Sequence, residues 1–535
     1  MKLSVKDLPV KDLLARSLPL FSYRCLPLTL LALLLAACAV NPVTGQRELS
    51  FISQSEEVAM GQQNYAPTLQ SQGGKYQVDP GLTEYVNRVG QRLAAVSDRQ
   101  LPYEFTVINN SVPNAWALPG GKIAINRGLL LELNNEAELA AVLGHEIVHS
   151  AARHGAQAME RGMLLQGVLV ATSVAASNSE YGNLITGGAQ LGAQLATQRY
   201  GRDAEREADT YGIRYMATAG YDPAAAISLQ ETFVRLSEGR ESSWLDGLFA
   251  SHPPSIERVN NNRALVAQLR VEGISGGELG EQQFREQIGF LQEMQPAYQA
   301  YDEALELLRA DRAEAAMDKI DTAIALLPRE ARFHGLKADI YLYQRRYQAA
   351  IAQYDQALER DDAYFDYYLG RGLAYSREGD RTRAQADLQA SVDLLPTATA
   401  MNELGALAQA RNDRQAAKQY FSQAASAQGP IGEQATAAYI RLDIEDQPAQ
   451  YIETSAYLDN EGRLLARINN RAPIGVSELL IEFTVQLDGR TSSRQRRLST
   501  LAAGQSLVVD SGLSLPATTA TALPAAVRVL SLRAR

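Results

Sequence analysis

The chain has 535 residues, a formal net charge of −10, 46% hydrophobic side chains and 21% charged ones. That length exceeds what one core serves and predicts roughly three or four domains of about 150 residues each, while the composition excludes a disordered chain. The acidic balance carries no footprint for nucleic acid, and the only two cysteines, Cys25 and Cys38, leave no disulfide available to the rest of the chain.

Lys2, Lys6, Lys11, Arg16 and Arg24 precede an apolar run from Leu26 to Ala37 that ends in Leu35-Ala36-Ala37-Cys38. The run is too short for a hydrocarbon layer about 30 Å thick and fits the apolar region of an export signal. The small residues before Cys38 resemble the lipobox of bacterial lipoproteins. That resemblance implies a signal peptide over 1–37, lipidation at Cys38, and, with alanine at 39, anchoring to the outer membrane on its periplasmic side.

Residues 38–55 read as a tether, because Asn41-Pro42 and Thr44-Gly45 interrupt regular structure. Helical spacing begins at Ser55, and a second helix is expected from Val78 to Val96. Tyr103 to Ile108 reads as a strand; Asn114 to Leu118 and Lys122 to Ile125 read as two more around Pro119-Gly120-Gly121. A helix is expected from Asn135 through His154, with Glu136 and Glu138 in the first turn, where negative charge suits the helix dipole. The apolar, glycine-rich stretch over 163–198 opens with Met163 to Ala176, read as a buried or groove-lining helix too short to span a membrane. A helix from Arg202 to Gly220 follows, and Asp222-Pro223 starts the next. Residues 271–296 read as a helical linker.

From about 297 the sequence repeats every 34 residues. Ala316, Ile320 and Ala323 recur as Ala350, Tyr354 and Ala357, then as Ala384, Leu388 and Ser391, then one residue early as Ala417, Phe421 and Ala424. This resembles tetratricopeptide (TPR) repeats, in which small residues let paired helices approach, and predicts an α-solenoid over 297–430. After Gln447 six period-two strands with intervening turns predict a small antiparallel β-sandwich over 448–535.

The chemistry concentrates in His145-Glu146-Ile147-Val148-His149. Histidines four apart on a helix project from one face, a spacing suited to two ligands of a tetrahedral Zn²⁺. Glu146 lies beside the metal rather than on it, positioned to take a proton from a water that the metal polarises. The flanks are apolar, as a buried active-site helix requires. A third ligand is expected from Glu205-Arg206-Glu207-Ala208-Asp209. Glu205 and Asp209 share a helix face, so one can bind zinc while the other orients a ligand imidazole; Arg206 and Glu207 read as solvated. His154 is expected to face away from the metal and cap its helix, and His334 to be structural.

Asn114 to Gly121, Asn135 to His149 and Glu205 to Asp209 together resemble the M48 family of peptidases, over about Asn41 to Val266. The resemblance implies an HExxH zincin domain over 56–270, mainly α with a small sheet, holding one Zn²⁺ per chain through His145, His149 and Glu205. Glu146 would then be the base and Asp209 the group behind a ligand. His252, in Ser251-His252-Pro253-Pro254, falls where such peptidases often carry an active-site loop; it reads as an oxyanion stabiliser or a removable fourth ligand. The added repeats resemble envelope members of the family. They imply an endopeptidase of misfolded or stalled outer-membrane proteins, with the TPR face recruiting substrate or the barrel-assembly machinery and strand 114–118 offering an exposed edge to extended peptide. The competing reading is a TPR scaffold or chaperone whose peptidase is latent; a peptidoglycan hydrolase has no supporting feature beyond location.

Overall fold

Asn41 makes the stretch after Cys38 a hairpin rather than a free tether. Its Oδ1 accepts from the amides of Val43 (2.9 Å) and Thr44 (3.2 Å), and its carbonyl accepts from Gly45. Strand β1 (Cys38–Val40) thereby doubles back on β2 (Arg47–Leu49). Asn41 Nδ2 also donates to the carbonyl of Ala152 (3.2 Å), and Val43 is buried, so the segment is fastened to the body of the protein. The turn residues that read as breakers are the ones that close the hairpin. The computed structural model describes residues 38–163, 200–239, 252–487, 490–514 and 525–535. The export signal expected over 1–37, and the apolar helix expected beyond Met163, lie outside the described residues.

Ser53 and Glu56 form a capping box that starts α1 (Gln54–Gln72), and proline in the first turn starts α2 (Pro80–Ala94). Strands β3 (Glu104–Ile108), β4 (Ala115–Leu118) and β5 (Lys122–Asn126) make one sheet in the order β3-β5-β4. β5 runs parallel to β3 and antiparallel to β4. Gly120 (φ 81°) and Gly121 (φ 89°) turn the chain between β4 and β5 in a conformation that favours glycine. β4 is at the sheet edge, as expected, but its residues are buried: Tyr65 of α1 packs edge-to-face on Trp116, with ring centroids 6.4 Å apart.

The next helix, α3 (Glu136–Ala151), is buried along its whole length. It stops three residues short of the expected His154 because Arg153 takes φ 65°, and helix resumes over 154–163. α4 (Arg202–Thr218) crosses α3 where two glycines meet. A Cβ on Gly212 would lie 2.9 Å from the amide nitrogen of His145, and one on Gly144 3.1 Å from the carbonyl oxygen of Gly212. Two hydrogens in place of side chains therefore set how closely the helices approach. α5 (Ala225–Gly239) and α6 (Ile256–Val271) complete this unit.

α7 (Glu281–Glu293) is a packed element rather than a connecting linker, since Phe284, Ile288 and Leu291 are buried in the same core as α2 and α3. The helices α8 (Gln295–Arg309), α9 (Ala313–Leu326), α10 (Ala331–Tyr343), α11 (Tyr347–Leu358), α12 (Phe365–Glu378), α13 (Arg381–Leu394), α14 (Ala398–Ala410) and α15 (Arg414–Ala424) form the expected solenoid of helix pairs. Its first helices share the core of the N-terminal unit without interruption: Tyr298, Ile320, Phe333 and Ile340 belong to the cluster that includes Leu139 and Leu143. Polar contacts repeat the attachment, from Asn109 to Glu330 (3.1 Å), Ser111 to Asp302 (2.9 Å) and Gln70 to the carbonyl of Ala363 (2.6 Å).

The solenoid ends in α16 (Pro430–Asp446), whose Ile444 is buried in the core of the C-terminal unit. That unit contains β6 (Ile452–Leu458), β7 (Arg463–Asn470), β8 (Val476–Leu487), β9 (Arg490–Leu501), β10 (Ser506–Ser514) and β11 (Ala525–Ala534). They form two antiparallel sheets, β10-β7-β6 and β11-β8-β9, closed on an apolar centre that includes Ile468, Ile481 and Phe483. Among the described residues no helix is long and apolar enough to cross a membrane.

Candidate metal centre

Helix α3 carries His145, Glu146 and His149; α4 carries Glu205 and Asp209; His252 arrives from the segment before α6. All six are buried. The close crossing at Gly144 and Gly212 is what lets an acidic helix face reach a histidine face.

One nitrogen or oxygen from each of His145, His149, Glu205 and His252 lies within 4.8 Å of the others. His145 Nε2 is 3.1 Å from His149 Nε2 and 3.3 Å from His252 Nδ1. The Glu205 carboxylate is 3.5 Å from each of the first two nitrogens and 2.9 Å from His252 Nδ1. A tetrahedral Zn²⁺ with bonds of about 2.0–2.1 Å has donor–donor edges of about 3.3–3.4 Å. The cluster has the size of that tetrahedron. Its chemistry agrees, since buried lone pairs and a carboxylate converge with too few hydrogens to satisfy one another. Glu146 Oε2 accepts no hydrogen bond among the described residues, although buried polar atoms are ordinarily paired; Glu205 Oε2 accepts none either, but lies 3.2 Å from the Arg258 guanidinium.

Asp209 Oδ1 lies 3.0 Å from His145 Nδ1, and Arg258 grips Asp209 with two hydrogen bonds of 2.7 Å. Burial raises the Asp209 pKa, but the Arg258 guanidinium and His145 outweigh it and hold the carboxyl at about 2. Glu205 is also pulled down, because the histidines outweigh the effect of burial. Burial opposes charge on His145, yet Glu205 and Asp209 overcome it and raise the imidazole to about 10. Burial, the larger effect at His149, drives that ring well below its ordinary value. Burial likewise raises Glu146, partly offset by His252 and His145. Of the two helix histidines, the surroundings thus favour a positive charge on His145 and oppose it on His149.

Arg258 escaped the sequence reading. It sits in the first turn of α6, where the helix dipole disfavours a cation, and that misplacement was the available signal for an acidic partner. Tyr200 was also missed; its ring stacks on His149 with centroids 4.0 Å apart. His154 does not point away, since the turn at Arg153 brings its Nδ1 to 2.9 Å from His149 Nδ1. Glu207, expected to be solvated, lies 3.1 Å from His154 Nε2. Arg206 is solvent-facing, as read, and pairs with Glu257. His334 is buried in the solenoid, bonded to Gln353 and the carbonyl of Pro328.

The profile of Peptidase family M48 matches residues 80–266, across every helix and strand that builds this centre except the approach from β1 to α1. The mitochondrial metalloendopeptidase OMA1 of Schizosaccharomyces pombe is 33% identical over 237 residues, 43% of this chain and 67% of that protein. The chain belongs to peptidase family M48. A tetratricopeptide-repeat profile matches residues 331–364, the pair α10–α11. This M48 chain is also similar to the beta-barrel assembly-enhancing protease of Yersinia pestis, 29% identical over 380 residues, 64% of this chain and 76% of that protein. The protein of the same name from Escherichia coli K12 is 27% identical over 299 residues, 51% of this chain and 61% of that one. The chain thus spans about three quarters of one of these relatives and about three fifths of the other. As an M48 member it is a zinc-dependent metalloendopeptidase that carries TPR repeats.

Proposed function

We propose that this M48 peptidase cleaves extended segments of misfolded or stalled outer-membrane proteins in the periplasm, held to the outer membrane through a lipidated Cys38. His145, His149 and Glu205 hold the zinc, Asp209 orients His145, and Glu146 is the base. The observation that carries this reading is the unpartnered, buried Glu146 Oε2 beside a donor cluster of zinc dimensions. When bound, zinc supplies Lewis-acid polarisation of a carbonyl and of water. Glu146 Oε2 takes a proton from the attacking water as its oxygen bonds to the peptide carbonyl carbon, and returns that proton to the leaving amine nitrogen as the C–N bond breaks. A recess lined by Val142, Ile213, Leu229 and Phe233 borders Glu146 and His252 and offers an apolar seat for a substrate side chain. The shared name of the Yersinia and Escherichia relatives, beta-barrel assembly-enhancing protease, supports a role connected with β-barrel assembly. The solenoid would recruit the substrate or the barrel-assembly machinery.

One observation favours the second reading, a TPR scaffold whose peptidase is held closed. His252 brings a fourth donor to the cluster, whereas catalytic zinc sites keep one position open. On the first reading His252 is a removable ligand.

The test is zinc content together with cleavage of an unfolded barrel protein, comparing the chain with its Glu146→Gln variant. About one zinc per chain in both, with cleavage by the unsubstituted protein alone, is the expected result. Zinc in both and cleavage by neither would favour the scaffold, and no zinc in either would overturn the metal assignment.

A further inference from the structure

We propose that Glu207 and His154 hold His149 in the tautomer whose Nε2 is bare, a positioning role that rests on His149 being a metal ligand. His149 Nδ1 lies 2.9 Å from His154 Nδ1, and His154 Nε2 lies 3.1 Å from Glu207 Oε2. The hydrogens along this chain can be assigned one at a time. An ionised carboxylate only accepts, so His154 Nε2 carries a hydrogen. In the tautomer with its one ring hydrogen on Nε2, His154 presents a bare Nδ1 that accepts from His149 Nδ1–H. Neutral His149, with its hydrogen on Nδ1, keeps a lone pair on Nε2. That is the atom 3.1 Å from His145 Nε2 and 3.5 Å from Glu205 Oε1.

A ligand histidine ordinarily donates its other N–H to a carboxylate, a carbonyl or water, any of which fixes the tautomer. His145 follows that rule through Asp209. His149 instead faces a second imidazole, which can donate as well as accept. Donation from His154 would push the hydrogen of His149 onto Nε2, into the middle of the donor cluster. Glu207, accepting from His154 Nε2–H, favours the tautomer that leaves His154 Nδ1 bare. It stands two residues beyond Glu205 on α4, so one helix supplies both a metal ligand and the group that sets the proton of another.

The backbone is built to bring His154 there. A ring five residues beyond His149 on a continuous helix would lie on a different face. The chain turns instead at Arg153, whose φ of 65° is uncommon for a residue with a Cβ. Its side chain is held by Glu57, by Ser50 Oγ (2.6 Å) and by the carbonyl of Ile52 (2.6 Å). Glu160, on the helix that follows, accepts from the amides of Phe51 and Ile52 at 2.7 and 2.9 Å.

The experiment measures the zinc dissociation constant of the full chain by chelator competition for His154→Phe, His154→Asn and Glu207→Lys. Phenylalanine keeps the ring's bulk and cannot accept, so affinity should fall roughly ten- to a hundredfold. Asparagine loses the ring but offers Oδ1 to His149 Nδ1–H, and should stay within about threefold of the unsubstituted chain. Lysine only donates and should weaken binding as phenylalanine does. A packing role predicts the opposite ranking, with Phe closer to the parent than Asn, and that result would overturn the proposal. Nitrogen-15 NMR of ring-labelled, unsubstituted protein guards against variants that do not fold. His154 should be the Nε2–H tautomer; a hydrogen on its Nδ1 refutes the assignment. If the unsubstituted chain binds no zinc, the reading of the metal centre fails instead, and the two failures are distinct.

Discussion

Gly212→Ala tests whether the helix crossing sets the metal centre. The new Cβ would stand 2.9 Å from the amide nitrogen of His145 and 3.0 Å from the carbonyl carbon of Gly144, both backbone atoms that cannot swing aside. Restoring ordinary contact near 3.4 Å requires α3 and α4 to separate by about 0.5 Å, whereas metal sites tolerate about 0.2 Å in their bond lengths. Alanine in a helix interior gains about 1 kcal/mol over glycine, and overpacking costs about 1–3 kcal/mol. The net expectation is a loss of about 0–2 kcal/mol with zinc affinity down about tenfold or more. Gly289→Ala on α7 is the control, because nothing lies within 4 Å of its added Cβ and only the helix gain of about 1 kcal/mol remains. Chemical denaturation of both variants, with and without chelator, and zinc competition supply the numbers. If Gly212→Ala is stabilised as much as Gly289→Ala and binds zinc as tightly as the parent, the crossing does not set the site.

His252→Ala should keep zinc and cleave unfolded protein faster than the parent, because it opens one corner of the cluster; slower cleavage would mean that His252 assists the chemistry. In the metal-free protein His145 is raised to about 10, so zinc must displace its proton, and affinity should rise about tenfold per pH unit between pH 7 and about 9. The same proton contributes stability to the metal-free fold below pH 6.5, and that contribution disappears as pH rises through about 10; titration calorimetry in buffers of different ionisation enthalpy reads the proton released. Asp209, lowered from 3.8 to about 2, contributes stability above pH 3.8, on the order of 2 kcal/mol, which is lost as pH falls through about 2. Arg258→Gln should cost about 3–5 kcal/mol by leaving that carboxylate buried with His145 alone, and Arg258→Lys should not restore the two-bond grip; urea unfolding measures both.

Periodicity carried most of the architecture. The 34-residue spacing announced the solenoid because each repeat must bury the same small-residue face, and period-two strands announced the two terminal sheets. Elements fixed by distant partners were harder to read. The Asn41 turn looks like a tether until the carbonyl of Ala152 is there to bind it, and α7 looks like a linker until Phe284 and Ile288 find their core. His145, Glu146, His149, Glu205, Asp209 and His252 were each legible, and the structure brings them together. Helical spacing failed at His154, since one residue with positive φ redirects everything after it. Arg258 carried only the signal of a cation in the first turn of its helix, because the partner that explains it, Asp209, is 49 residues away.

The uninterrupted core from α3 into the first repeats has a consequence for how a protein chain would be cut. The hinge that two linked domains would have is filled with Phe284, Tyr298 and Phe333, so the solenoid cannot pivot without opening that core. On the proposed function, a polypeptide seated on the repeats reaches His145 and His149 across a constant gap, like stock pushed against a stop. Cleavage would then fall a set number of residues from the docked segment, and lengthening the spacer in a tethered substrate should leave that number unchanged.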